Sequence, residues 1–196
     1  DYGMQTTAFG FGVDHALYYP PVEARRPGPT TVFCYARPAT ERRGFAIAVM
    51  ALALAKQRMP SLQVVFAGGD PTGWRIPFDY RNLGTVSPPQ LADAFRASDA
   101  ALILSLTNAS LMPLEAMACG TPVVSNGGPH VEWLLANEEG ALLTPPTPQG
   151  LADGLIHLLN DANLHTRLSR SAIERAAAAR WPDELDKVLR FFQALA

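Results

Sequence analysis

The chain has 196 residues, 48% of them apolar and 17% charged, and a formal charge of −2. That length buries one sizeable core and hardly two. So small a net charge excludes a general attraction to nucleic acid or to an anionic membrane, which leaves any anion site to be local.

In chain order, residues 1–4 read as the tail of a helix and residues 5–9 as a short strand. Gly10, Gly12 and Asp14 then break the pattern ahead of Tyr18, Tyr19, Pro20 and Pro21. Residues 22–30, rich in Pro and Arg, read as the rest of a linker. A β-branched and aromatic run at 31–36, bounded by Pro29 and Pro38, predicts a buried strand. The apolar stretch 45–55, FAIAVMALALA, is too short for the ~20 residues a bilayer span needs, so 44–58 is expected to be a buried helix. Strands are expected at 63–67, at the Gly84-Thr85-Val86 end, at 100–104, 121–125 and 141–143. Helices are expected at 89–97, 111–118, 130–135, 148–159, 162–180 and 182–195. Strands alternating with helices imply a parallel sheet covered on both faces and doubly wound by right-handed crossovers: one α/β, Rossmann-like domain. Such sheets bind ligands at the carboxyl ends of their strands.

Cys34 and Cys119 both lie in apolar surroundings and read as reduced core thiols of a cytosolic protein. With no targeting segment in view, the cytoplasm is the default location. No Asp-x-Asp occurs, and the four histidines lack ligand spacing with each other or with the cysteines, so no metal is expected. Trp74, Trp133 and Trp181, with Phe191 and Phe192, are expected to pack the core or cover the sheet.

The stretch 105–126, SLTNASLMPLEAMACGTPVVSN, organises the rest. It reads as a strand end, a polar turn, a short helix and a second strand. Asn108 or Ser110 can cap that helix, and its remaining first amides, with the helix dipole, favour an anion above the strand ends. Glu115 stands between Leu114 and Ala116 on an otherwise apolar helix. A buried carboxylate needs a partner, and sugar hydroxyls, or alternatively a structural amide or Arg, would serve.

P-L-E-A-M-A-C-G-T-P-V-V resembles the C-terminal half of the Glu-x7-Glu signature of retaining GT-B glycosyltransferases, which transfer sugars from nucleotide diphosphates. The S-L-T-N-A-S-x-x-P-L-E form, with F-C-Y-A-R-P upstream, is most similar to the rhamnan-synthesis branch of the family-4-like group. Thr107 stands where the first Glu of the signature is expected, which leaves that Glu's role toward the donor sugar open. The resemblance implies that residues 30–196 are the donor-binding, C-terminal half of a GT-B fold. Residues 1–29 would then be the end of the N-terminal half and the interdomain crossing, carried by GFGVD and Y-x-P. YARPATERRG resembles the family's G-R-x-x-x-x-K-G loop, which puts Arg37 and Arg43 on the diphosphate and leaves Arg42 at the surface. Gly84-Thr85-Val86 resembles the element whose backbone reads the base. Gly127, Gly128 and Glu132 resemble a G-G-x-x-E loop near the donor, though they also make a good tight turn.

The donor-binding residues implied are Arg37, Arg43, Val86, Asn108, Ser110, Leu111, Met112 and Glu115, with the catalytic group unknown. The implied function is metal-free transfer, of hexosyl type, from a nucleoside-diphosphate sugar to a glycan or lipid-linked acceptor. The acceptor would be held by the missing half, the full-length protein would lie in the cytoplasm or peripherally at the inner membrane, and this chain would be inactive alone. The rhamnan likeness suggests rhamnose from a thymidine donor; the residues themselves specify neither base nor sugar. Two alternatives are a non-catalytic binding or assembly module of the same fold and a nucleotide-sugar epimerase, which would need an acid/base pair. No nucleic-acid partner is expected, and an exposed aromatic tail would allow weak self-association.

Overall fold

The computed structural model describes residues 3, 5–22 and 28–195. The expected helix tail at 1–4 lies, Gly3 apart, outside the described residues, as does the middle of the linker. The elements are β1 (Thr31–Tyr35), a 3-10 turn (Glu41–Arg43), α1 (Phe45–Arg58), β2 (Gln63–Ala67), β3 (Arg81–Asn82), α2 (Pro88–Arg96) and β4 (Ala100–Leu102). They continue with α3 (Met112–Ala118), β5 (Val123–Asn126), α4 (Pro129–Glu132), β6 (Ala141–Thr144), α5 (Pro148–Asn160), α6 (Ala162–Ala178) and α7 (Trp181–Leu195).

The sheet has six strands in the order β3-β2-β1-β4-β5-β6, every neighbouring pair parallel. Both faces are covered, as strands without polar alternation require. Successive side chains of β1 point to opposite sides. Val32 and Cys34 join the core under α1 and α5, with Leu52, Phe66 and Leu155. Phe33 joins the core under α2, α3 and α6, meeting Phe95 at 4.8 Å between ring centroids, near Met117. The strand order reverses direction between β1 and β4, so a crevice opens there at the carboxyl ends.

Four expectations are corrected. Residues 5–9 form no strand. The segment's strand-like pairing comes further on, where Val13 bridges Arg180 and its amide donates to the Ala179 carbonyl at 2.9 Å. β3 stops at Asn82, before Gly84-Thr85-Val86, because the Asn82 side chain accepts the Gly84 amide at 3.0 Å and turns the chain at a left-handed glycine. β4 ends at Leu102, short of Leu104. The aromatic tail does not pack the core: α7 buries no residue, and Phe192 and Trp133 are 63% and 54% exposed.

The thiols are free and buried. Burial pushes Cys34 well above the usual thiol range and Cys119 up to about 11, where Arg96 holds it down. Among the described residues no helix is long and apolar enough to cross a membrane.

Candidate functional site

The loop after β1 is folded tightly by its own main chain. Thr40 donates to Arg37, Arg43 to Thr40 and Gly44 to Glu41, each at 2.9 Å, and Gly44 takes the left-handed conformation that releases the chain into α1. This turn carries Arg42 and Arg43 to the loop after β4, whose Leu106 amide donates to the Arg42 carbonyl at 2.8 Å. Arg43 Nη1 reaches Ser105 Oγ at 3.3 Å, and Arg42 Nη1 reaches Asn108 Oδ1 at 2.6 Å. Arg37 Nη1 lies 3.4 Å from the Tyr35 hydroxyl, with its guanidinium over the Tyr35 ring.

Burial first, then the neighbouring charge of Arg42 and more weakly that of Arg37, lowers the pKa of Arg43. Among the described residues none of the three has a carboxylate partner, whereas Arg58, Arg96, Arg167, Arg175, Arg180 and Arg190 each do. Like charges held together favour an anion between them.

Asn108 does not cap α3, and neither does Ser110. The helix begins at Met112, after Leu111 at the N-cap, with no side-chain cap, because Asn108 Oδ1 is taken by Arg42 and by the Thr107 hydroxyl at 3.1 Å. The amides of Ser110, Leu111 and Met112 therefore have no partner among the described residues.

Glu115 is half-buried one turn further along. Burial raises its pKa, and the Tyr18 hydroxyl, donating to it, opposes the rise. Its protein partner is thus a phenol from the incoming segment, where the structural alternative to sugar hydroxyls had been an amide or an Arg. Tyr18 itself is 5% exposed and packs on Phe95.

Val86 lies apart from this cluster. It lines a cleft of about 830 Å³ with Leu83 and Gln90, which runs along α2 and the β2–β3 edge to Gln63 and Ser98 at the strands' amino ends. The loop before Val86 does approach the site, since Gly84 accepts the Gly68 amide at 2.7 Å and a Cβ on Gly68 would come within 2.5 Å of the Tyr35 ring. Glu132 closes its own turn, accepting the Gly128 amide at 2.8 Å. Among the described residues no three His, Cys, Asp or Glu side chains gather as a metal site.

Sequence reasoning left Arg42 at the surface, where it is indeed exposed though bonded to Asn108, and passed over Tyr35 and the meeting of Tyr18 with Glu115. Arg42 could have been found as Arg43's neighbour in a turn too short to separate them, and Tyr35 from its place at the end of β1. Nothing local marks Tyr18 as a partner of Glu115.

Residues 30–156 match the family model described as WsaF, C-terminal domain. The O-antigen biosynthesis protein RfbC of Myxococcus xanthus is 36% identical over 196 residues, covering 96% of this chain and 15% of that protein. Among solved structures, sucrose-phosphate synthase from Thermosynechococcus elongatus superposes with a TM-score of 0.82 at 23% identity, over 97% of this chain and 53% of that one. Anabaena Alr3699/HepE, solved with UDP and glucose, gives 0.73 at 19% identity over 94% and 55%. The chain thus spans a small part of RfbC and about half of each of these two solved chains. Its sheet and helices are those of the C-terminal domain of GT-B glycosyltransferases. By the match over residues 30–156, the chain belongs to the WsaF C-terminal domain family.

Proposed function

We propose that this chain is the donor-binding domain of a retaining, metal-independent glycosyltransferase and holds a nucleoside-diphosphate sugar by its diphosphate. The observation that carries this is the meeting of Arg37, Arg42 and Arg43 at the β1–β4 crevice without a carboxylate partner among the described residues. A departing nucleoside diphosphate gathers negative charge as the glycosidic bond breaks, and guanidinium groups aimed at its oxygens stabilise that charge. The amides of Ser110 to Met112, without partners among the described residues, add donors on the same side, and Glu115 would accept from ribose hydroxyls while Tyr18 holds its other flank. The UDP found with HepE supports the ligand class. The retaining outcome, and rhamnose from a thymidine donor with a glycan or lipid-linked acceptor, rest on motif likeness alone.

Calorimetric titration with UDP, TDP and GDP tests the reading, beside an Arg43→Ala variant checked for folding. Binding of one nucleotide in preference to the others, weakened at least tenfold by the substitution, is the expected result. A second reading, a non-catalytic assembly module, is favoured by one feature: Thr107 replaces the expected Glu and turns its hydroxyl onto Asn108. Indifference to all three nucleotides would select it.

A further inference from the structure

β4 and β5 are in register only over Ala101↔Val123 and Leu102↔Val124, flanked by main-chain bonds from the Ala101 amide to the Pro122 carbonyl at 2.9 Å and from the Ile103 amide to the Val124 carbonyl at 3.1 Å. Beyond that point the chain after β4 peels away, and side chains of β5 take over the ladder. Ser125 Oγ donates to the Ile103 carbonyl at 2.7 Å. Asn126 then does for Ser105 what a strand neighbour would do: its Oδ1 accepts the Ser105 amide at 2.9 Å and its Nδ2 donates to the Ser105 carbonyl at 2.8 Å. Main-chain groups need such partners when buried. Supplying them from a side chain sets the loop one side-chain length off the sheet, which opens the crevice.

Ser105 passes the constraint on. Its hydroxyl bonds the Asn108 carbonyl, lies 3.4 Å from the Asn108 amide and accepts from Arg43 at 3.3 Å, while Asn108 in turn accepts from Arg42. His130 Nε2 braces the same Ser105 carbonyl at 3.0 Å. Asn126 is 1% exposed, and both ends of its amide are committed to protein groups.

We propose that Asn126, seconded by His130, is the positioning residue of the anion-binding loop: it touches no ligand and sets where Ser105, Asn108, Arg42 and Arg43 stand. The inference rests on the donor-binding reading above. Removing the amide leaves a main-chain donor and acceptor without partners, so the loop must shift or admit water to satisfy them.

The test is calorimetry of this chain with UDP and with inorganic pyrophosphate, using Asn126→Ala, His130→Ala and a control, Thr121→Val. The control removes a comparably buried hydrogen bond, Thr121 Oγ1 to the Phe95 carbonyl at 2.7 Å, at the opposite end of β5. Asn126→Ala should weaken both ligands by the same factor, about tenfold, and His130→Ala by about threefold. Thr121→Val should lower the thermal midpoint while leaving both affinities within about twofold. If Asn126→Ala fails to fold, His130→Ala carries the test. Parental affinity in the Asn126 or His130 variant, or a loss that Thr121→Val matches, would overturn the inference and leave donor binding intact. A parent protein indifferent to pyrophosphate and to UDP, TDP and GDP alike would overturn the donor-binding reading, and this inference with it; where TDP or GDP is the nucleotide bound, it replaces UDP in the comparison of variants.

Discussion

Arg96 and Arg43 are both partly buried arginines near strand ends, yet their surroundings are opposite. Arg96, on α2, bonds Asp93 at 2.7 Å and the carbonyls of Leu17 and Tyr19 at 3.3 and 3.4 Å, and lies over the Tyr19 ring. Arg43 meets one hydroxyl and two like charges. A cation paired with a carboxylate and bonded to main-chain carbonyls holds the fold together, here by pinning the incoming segment to α2. A cation left among other cations is held ready for something outside the chain.

The largest expected effect follows from that contrast. Arg43→Ala should cost about 1.5 to 3 kcal/mol of diphosphate affinity, and Arg42→Ala a similar amount, with the pair less than additive because they share the loop. Calorimetry on both variants checks this, with Lys56→Ala in the cleft beside α2 as a control that should change affinity by no more than about twofold. Arg96→Ala should behave in reverse: a loss of about 1 to 2 kcal/mol in denaturant unfolding, with affinity kept. If Arg96→Ala lost affinity and kept stability, the contrast would be broken.

The smallest effect sharpens the picture at Glu115. Burial lifts its folded-state pKa above the unfolded value, so the folded state holds the proton longer. Stability contributed by the protonated group is present at low pH and lost as pH rises from the ordinary carboxylate value through the raised one. Glu115→Gln, neutral at every pH, should therefore gain in thermal midpoint over the parent at pH 7 relative to pH 4. A difference that is flat with pH would mean the carboxylate is not strained by burial.

Much of the fold was legible in the sequence because its causes are local. The runs at β1 and β2, the three last helices and α2, expected from Pro89 and found from Pro88, follow from apolar pattern and turn chemistry. The strand ends were less so. β4 stops where Ser125 and Asn126 begin to supply its partners from the neighbouring strand, and no window around β4 contains that fact. The site shows the same division. Arg37, just past the end of β1, and Arg43, in the turn before α1, could be singled out because the G-R-x-x-x-x-K-G likeness is local, whereas Tyr18 meets Glu115 only after almost a hundred residues have folded between them. Asn108 looked like a cap by residue type, and Arg42 outcompeted the helix for it.

α7 has one further consequence. Its Leu185, Leu189, Phe192 and Leu195 form an exposed stripe, and no residue of the helix is buried in either core. Gly12 lies flush against Trp181, where even a Cβ would collide, and one turn further along the Gly10 amide donates to the Glu184 carboxylate, so the junction of α7 with the incoming segment falls in the first turn of that helix. A chain cut just after Glu184 keeps both cores, the Gly10 contact and the arginine cluster whole while shedding the apolar stripe. That makes it the natural minimal unit for concentrated solution work on the ligand site.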